Sequence, residues 1–362
     1  MTSDTKRWRF GLAGAGRGSG YGRLLADSAN CEVVACCDTS HEALARFQAE
    51  LKLPDSRCFT DYDRFVSSAP MDAVFIGTPI PAHAEQTVKA VEAGVNVLSE
   101  VTAAMTVADC GRIVEAVRRT GRVYMLAENC CYWHFIIRWQ ELVQSGRLGE
   151  PIYSECEYLH PMADLMVNPT TGEDYWRAQR PPLYYCSHSL GPILEITQDR
   201  IVRAMGLGNG HRVMPEHPVV GAIDIQVALF ETAKGAIIKL LRTAIAPQQP
   251  PMHFYMVRGT RGFIETDRRG PRRGYLYIAG EMREAEESEA EFSDPFLPPE
   301  TRAGGHGTAE YLVLQDFLRA LGTGRRPRLH EVRAMDLTVP GIIAHDSAMR
   351  GGVWMEVPSF AE

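Results

Sequence analysis

The chain has 362 residues, 45% of them hydrophobic and 23% charged, with a formal net charge of −7. That length exceeds one simple core and suits two domains. The acidic balance offers nothing to nucleic acid. The basic run "DRRGPRR" (Asp267 to Arg273) carries the glycine and proline of a loop. No apolar run reaches membrane length, so no membrane partner is expected. The start "MTSDTKRWRF" leads directly into a strand pattern and has no apolar core or cleavage site, which makes the cytoplasm the default location. Nine cysteines without CxxC spacing argue for reduced thiols in a reducing compartment.

The first half alternates. Trp8 to Ala13 reads as a strand, followed by glycines at 14, 16, 18, 20 and 22 as a turn and then a helix over "RLLADSAN". Glu32 to Asp38 is a second strand, and "SHEALARFQAEL" is a helix that Ser40 can cap. "DAVFIGTP", "VNVLSE" and "RVYMLAEN" are further strands. Between them lie helices closed by Gly94 and Gly121. Strand-then-helix units on short connections imply a parallel sheet with both faces covered, over residues 1–149.

Residues 150–362 change character. "YWHFIIRWQELVQSG" is an amphipathic helix at the junction, and Pro151 to His160 is a strand. "DRIVRAMGLG", "HFYMVRGTRGFIETD" and "RGYLYIAG" supply further strands. "ALFETAKGAIIKLL" reads as a hairpin turning at Ala233 to Gly235. These make a largely antiparallel sheet, so the fold class is an α/β Rossmann domain followed by an α+β domain. Glu281 to Glu291 reads as a solvated face or mobile loop. "TAEYLVLQDFLRAL" is a helix, and the helical region after Leu329 is interrupted near Pro340. These C-terminal helices could pack back on the first domain. A large sheet face seldom stays uncovered, which points to a homodimer or homotetramer.

The glycine run sits where a dinucleotide pyrophosphate would lie, against the free N–H groups of a helix start. Gly14 and Gly16 take the first two positions of a GxGxxG pattern, Ser19 falls on the third, and Gly18 and Gly20 flank it. Asp38 ends the second strand, where a carboxylate holds ribose hydroxyls and repels a 2′-phosphate. Thr39 and Ser40 follow it rather than arginine, so the cofactor is expected to be NAD. No HExxH or tight zinc spacing occurs, and no metal is expected.

The chain resembles the Gfo/Idh/MocA oxidoreductases over its whole length. The likeness rests on the glycine turn, on "TPIPAHAEQTVKAVEAGVNVLSE" and on the strand-rich second half. The resemblance implies that Thr78, Pro79, His83 and Glu100 line the cofactor, together with Arg17 and Asn129. Where the family shows Glu-Lys-Pro, this chain has Glu100-Val101-Thr102, so the usual lysine at the reacting hydroxyl is gone.

A subgroup of NAD-dependent glycosidases of the α-N-acetylgalactosaminidase type is more similar still. The matching pieces are "AGRGSG", "EVTAAMT", "YLH" (Tyr158 to His160), "SHSLGP" (Ser187 to Pro192) and "GGHGTAEYL". That resemblance implies an enzyme of redox-neutral glycoside cleavage. A sugar carbon, C3, is oxidised, C2 is deprotonated, the C1 substituent is eliminated, and water and hydride are returned. Such hydrolysis needs no paired carboxylates.

His160 is the expected proton shuttle at the oxidised hydroxyl and Tyr158 the base at C2. At i and i+2 on a strand both face one side. His188, in a Gly- and Pro-flanked loop, is expected to bind or protonate the substrate, with Arg177 and His306 as further substrate-binding candidates. Two other functions fit the same residues: an NAD-dependent sugar or cyclitol dehydrogenase, and a non-catalytic NAD-binding regulatory protein.

Overall fold

The computed structural model describes residues 6–168, 170–248, 252–270, 272–302 and 305–361; the Ser19 side chain lies outside the described residues. The chain divides into two compact units, Met1–Ala127 with Pro295–Met335, and Glu128–Asp294 with Asp336–Glu362. This differs from a single cut after residue 149. The helix His134–Gln144 belongs to the second unit, and the helix Ala309–Thr323 to the first.

The first unit runs β1 (Trp8–Ala13), α1 (Ala15–Asp27), β2 (Cys31–Cys37), α2 (His41–Leu51), β3 (Cys58–Phe59), α3 (Tyr62–Ser68), β4 (Ala73–Ile76), α4 (Ile80–Glu92), β5 (Asn96–Ser99), α5 (Val107–Thr120) and β6 (Tyr124–Leu126). Its six strands are parallel, in the order β3-β2-β1-β4-β5-β6. The order reverses at β1, and ligands of open α/β sheets bind at such a switch point.

α1 begins at Ala15 and includes the glycines expected as a turn. A Cβ on Gly18 would stand 3.3 Å from the Phe47 ring, and one on Gly22 3.2 Å from Leu12. The bare helix face thus lets β1 and α2 approach, and that packing outweighs the poor helix propensity of glycine. Ser40 caps α2 by accepting the Ala43 N–H, and Gly121 closes α5 at φ +63.

The second unit opens with α6 (His134–Gln144) and β7 (Pro151–Leu159), then α7 (Ser187–Thr197), β8 (Ile201–Gly208), β9 (Gln226–Thr232), β10 (Ile237–Thr243), β11 (His253–Gly259), β12 (Gly262–Thr266), β13 (Arg273–Ile278) and β14 (Glu286–Glu289). After α8 (Ala309–Thr323) of the first unit come α9 (Glu331–Ala348) and β15 (Met355–Glu356). The nine strands lie in the order β14-β13-β12-β11-β7-β10-β9-β8-β15, antiparallel except for β7 with β10.

Three expectations change here. The acidic stretch contributes β14, a charged edge strand paired with β13, which suits an exposed sheet edge. α9 continues through Pro340, because Leu337, Val339, Ile342 and Ala344 are all buried and tertiary packing offsets the lost backbone bond. The segment after Tyr185 is the helix α7 rather than a loop, and its residues Ser187 to Ile196 are buried. Among the described residues no helix is long and apolar enough to cross a membrane.

Candidate active site

In the first unit β1 delivers the chain to Gly14, which caps α1 at φ +90. A Cβ there would lie 2.6 Å from the Gly77 carbonyl carbon, so only glycine lets the β1–α1 and β4–α4 turns press together. A Cβ added to Gly16 would meet nothing within 4 Å, so the backbone at the start of α1 borders open space. Asp38 accepts the Ala15 N–H through Oδ2 at 2.7 Å and the Ser40 N–H through Oδ1 at 2.8 Å. Its carboxylate is thereby anchored beside the helix start with lone pairs to spare. An open approach at Gly16 and a held carboxylate at the end of β2 together fit a dinucleotide.

The other cofactor candidates divide by placement. Gly18 packs on Phe47 within α1. Arg17 turns to its own chain: its Nε donates to Glu100 Oε1 at 2.7 Å, and its guanidinium lies 3.5 Å from Glu310 Oε1. His306 Nδ1 meets the same Glu310 oxygen at 2.6 Å, so His306 is held in a first-unit network. Burial pulls the Arg17 pKa down, but Glu100, Tyr21 and Glu310 outweigh this and keep the guanidinium charged.

Glu100 is buried at the end of β5, and its Oε2 accepts the Val101 N–H at 3.2 Å. Val101 is buried hydrocarbon with no proton to give or take. The Thr78 hydroxyl bonds Gln86, and Pro79 precedes α4. His83 is 1% exposed, and its ring nitrogens lie 2.8 Å from the carbonyls of Thr102 and Thr78. Its place is that of a brace between two turns.

In the second unit the proton-transfer candidates come together. The Tyr158 hydroxyl, near the end of β7, lies 2.6 Å from Nδ1 of His160, just beyond the strand. β11 pairs with β7 so that His253 stands opposite Tyr158, and their rings stack at 4.3 Å. The His188 ring lies 5.4 Å from the Tyr158 ring. In the first turn of α7, His188 places Nδ1 2.7 Å from Glu128 Oε1. Gly191, one turn on, permits this: a Cβ there would stand 3.4 Å from Glu128 and 3.1 Å from the Cys131 sulfur.

Glu128 is fully buried and also accepts the Cys130 N–H. Burial pushes its pKa up, but His188 outweighs that and holds it below its ordinary value. An ionised Glu128 fixes the proton on Nδ1 and leaves His188 Nε2, 3.3 Å from the Tyr185 hydroxyl, as the working nitrogen. Burial pushes the Tyr158 phenol up to about 12, opposed by the charge of Arg242, whose guanidinium lies 4.3 Å over its ring.

Asn129 is buried, and its Nδ2 has no hydrogen-bond partner. Arg177 is half-buried and stacks on Trp176 at 4.4 Å. Among the described residues one trio with metal-ligand atoms occurs: Glu128, Cys130 and His188, within 4.8 Å of one another. Two of its atoms, Glu128 Oε1 and His188 Nδ1, already bond each other as an acid–base pair.

Sequence reasoning passed over Glu128, Arg242, His253 and Tyr255; the segment "DYWRAQRPPLYYCSH" (Asp174 to His188), with Arg180 and Tyr185, reads as pocket-lining from its aromatics and arginines, without fixing which arginine points inward. Glu128 had a signal, a carboxylate just past the end of the strand "YML", where α/β sheets place their chemistry. The others depend on which strands pair, and that is written in no local pattern. Tyr255 donates its hydroxyl to the His188 carbonyl and so fixes the start of α7.

A parallel sheet with a glycine-started helix and a strand-end carboxylate defines a dinucleotide-binding unit, here joined to a second unit carrying acid–base side chains. The family model GFO_IDH_MocA, described as an oxidoreductase family with an NAD-binding Rossmann fold, matches residues 8–128. A glycosyl hydrolase family 109 protein of Solibacter usitatus (strain Ellin6076) is 24% identical, over 97% of this chain and 88% of its own. An alpha-N-acetylgalactosaminidase of Tannerella forsythia is 24% identical, over 97% of this chain and 86% of its own. In fold the chain is similar to a levoglucosan dehydrogenase solved with NADH and L-sorbose, with a TM-score of 0.84 at 17% identity over 98% of this chain and 100% of that one.

Proposed function

We propose that the protein is an NAD-dependent, sugar-active enzyme that cleaves glycosides without net oxidation, through a transient 3-keto sugar. The observation that carries this reading is the presence of two hydrogen-bonded acid–base pairs, Tyr158–His160 and Glu128–His188, around one ring cluster. A simple dehydrogenase needs one base. Oxidation followed by elimination needs a second proton-transfer group and an acid for the leaving oxygen. The curated relatives named as glycosidases support the same reading.

NAD, when bound, supplies the reversible two-electron oxidation of one sugar carbon. Gly14, Gly16 and Asp38 would hold it through the open start of α1 and the carboxylate at the end of β2. His160 takes the proton of the hydroxyl being oxidised, the task that buried Val101 cannot perform. Half-exposed His160 releases that proton to solvent; the ketone makes the neighbouring C–H acidic, Tyr158 gives its phenolic proton to the freed His160 Nδ1, and the resulting phenolate takes the C2 proton. Arg242 over the Tyr158 ring favours the phenolate that this step requires. His188, oriented by Glu128, gives a proton to the departing oxygen and takes one from the entering water. The protein acts in the cytoplasm and as a homodimer or homotetramer, a reading supported by β9 and β10, where buried residues alternate with half-exposed ones on a sheet face that a second copy would cover.

The test is turnover of a glycoside panel in deuterated water while absorbance at 340 nm is followed. Aglycone release with deuterium entering at C2 and no net NADH is the expected result. Rising absorbance with an intact glycoside would make the protein a dehydrogenase and end this reading.

A further inference from the structure

The second unit buries two guanidinium groups that no anion of the described residues meets. Arg180 is 1% exposed and Arg242 is fully buried. Among the described residues neither forms an ion pair, and neither does the half-buried Arg177. The nearest acidic side chain in sequence, Asp174, is taken by His217 at 2.8 Å. Arg242 donates to the Tyr158 carbonyl at 3.0 Å, but its Nε and its second terminal nitrogen have no partner. Arg180 reaches the Met162 sulfur at 3.3 Å, and its Nε is likewise without a partner among the described residues.

The two cations are close neighbours. Arg180 lies 4.4 Å and Arg242 6.0 Å from the centre of the same Tyr185 ring. Arg242 also covers Tyr158, and Arg177 stacks on Trp176, to which Arg180 is 5.7 Å distant. Burial first, then the charge of Arg242, pull the Arg180 pKa down to about 9; burial pulls Arg242 down to about 10.

A fold gains nothing from this arrangement. Apolar side chains of similar volume would fill the space at lower cost, because buried charge without a counter-charge is strongly unfavourable. Aromatic rings relieve part of that cost but leave the N–H donors unused. The surroundings strengthen attraction for an anion. Met162, Ala178, Ala244 and Ile245 form an apolar wall, and low local dielectric magnifies the charge. Trp176, Arg177, Tyr185 and His160 form a half-exposed rim beside the proposed proton-transfer groups.

We propose that Arg177, Arg180 and Arg242 form a subsite for an anionic group on the sugar, so that the substrates are acidic glycosides. The inference rests on the sugar-active reading above and adds its substrate class. The shared chemistry is a planar or tetrahedral oxyanion that accepts paired guanidinium N–H donors. A C6 carboxylate and a sulfate or phosphate ester both present it.

The test is calorimetric binding to the NAD-saturated protein. D-galacturonate and D-glucuronate are compared with D-galactose and D-glucose, and galactose 6-sulfate and galactose 6-phosphate form the second arm. At least one acidic class should bind about 10–100-fold more tightly than its neutral counterpart, the worth of charge-assisted bonds made to a buried site. The arm that shows the preference identifies the anion. Arg180→Met and Arg242→Met should bring the preference close to one, whereas Arg180→Lys should keep part of it. Equal binding of neutral and acidic sugars by the unmutated protein overturns the proposal even if no variant folds, as does a preference that survives both methionine variants. Binding of free sugars needs no glycosidic cleavage. Selective binding without glycoside turnover therefore refutes only the glycosidase reading, and turnover of neutral glycosides without selectivity refutes only the subsite.

Discussion

Replacing Glu128 by glutamine keeps the shape of the side chain and removes its charge. The carboxylate is fully buried, His188 is 7% exposed, and the two meet at 2.7 Å. Loss of one partner of such a pair costs on the order of 3 kcal/mol, since glutamine retains one neutral hydrogen bond and the full penalty of about 3–5 kcal/mol is reached only when a charge is left alone. For a unit of this size that corresponds to a fall of roughly 6–12 °C in Tm.

The pH dependence has a definite sign. The folded Glu128 carboxyl lies below its ordinary value of about 4.5, so its contribution is present above that value and is lost as pH falls through the folded pKa. The glutamine variant should therefore lose stability mainly above about pH 4.5 and approach the parent in acid. Catalysis should fall further than stability, by about 10²–10⁴ in kcat, because an amide can turn its NH₂ toward Nδ1 and select the wrong tautomer. Thermal melts across pH and steady-state rates test both parts. A variant with unchanged Tm and kcat, or one equally destabilised at every pH, would refute the claim that an ionised Glu128 orients His188.

Two other substitutions probe the remaining assignments. His160→Ala removes the partner of Tyr158 and should abolish turnover while leaving NAD bound, checked by rate assay and by cofactor titration; full activity would remove its role. Asp38→Ala should weaken NAD binding by about tenfold, the worth of one or two charge-assisted bonds. It should also cost about 1 kcal/mol of stability through the lost Ala15 N–H partner. Calorimetry and denaturant midpoints read the two effects, and unchanged affinity would refute the cofactor contact.

Much of the architecture is legible in the chain itself, because local rules and tertiary packing agree there. β1 begins and ends where its apolar run does, Ser40 and Gly121 cap their helices, and Tyr158 near the end of β7 meets His160 just past it. Glycine, by contrast, is ambiguous in a sequence: the run from Gly14 to Gly22 looks like a turn, yet only Gly14 turns, while Gly18 and Gly22 pack against Phe47 and Leu12 within α1.

What one residue type and its spacing dictate was therefore available beforehand: the parallel sheet, the glycine-capped helix start, Asp38, and the pairing of Tyr158 in β7 with His160 just beyond it. Contacts between distant segments were not. Glu128 meets His188 across 60 residues, Arg242 covers Tyr158 across 84, and His253 stacks on Tyr158 only because β11 pairs with β7. Such pairings are set by the packing of whole elements, and the same packing leaves Arg180 and Arg242 buried beside each other without a counter-charge among the described residues.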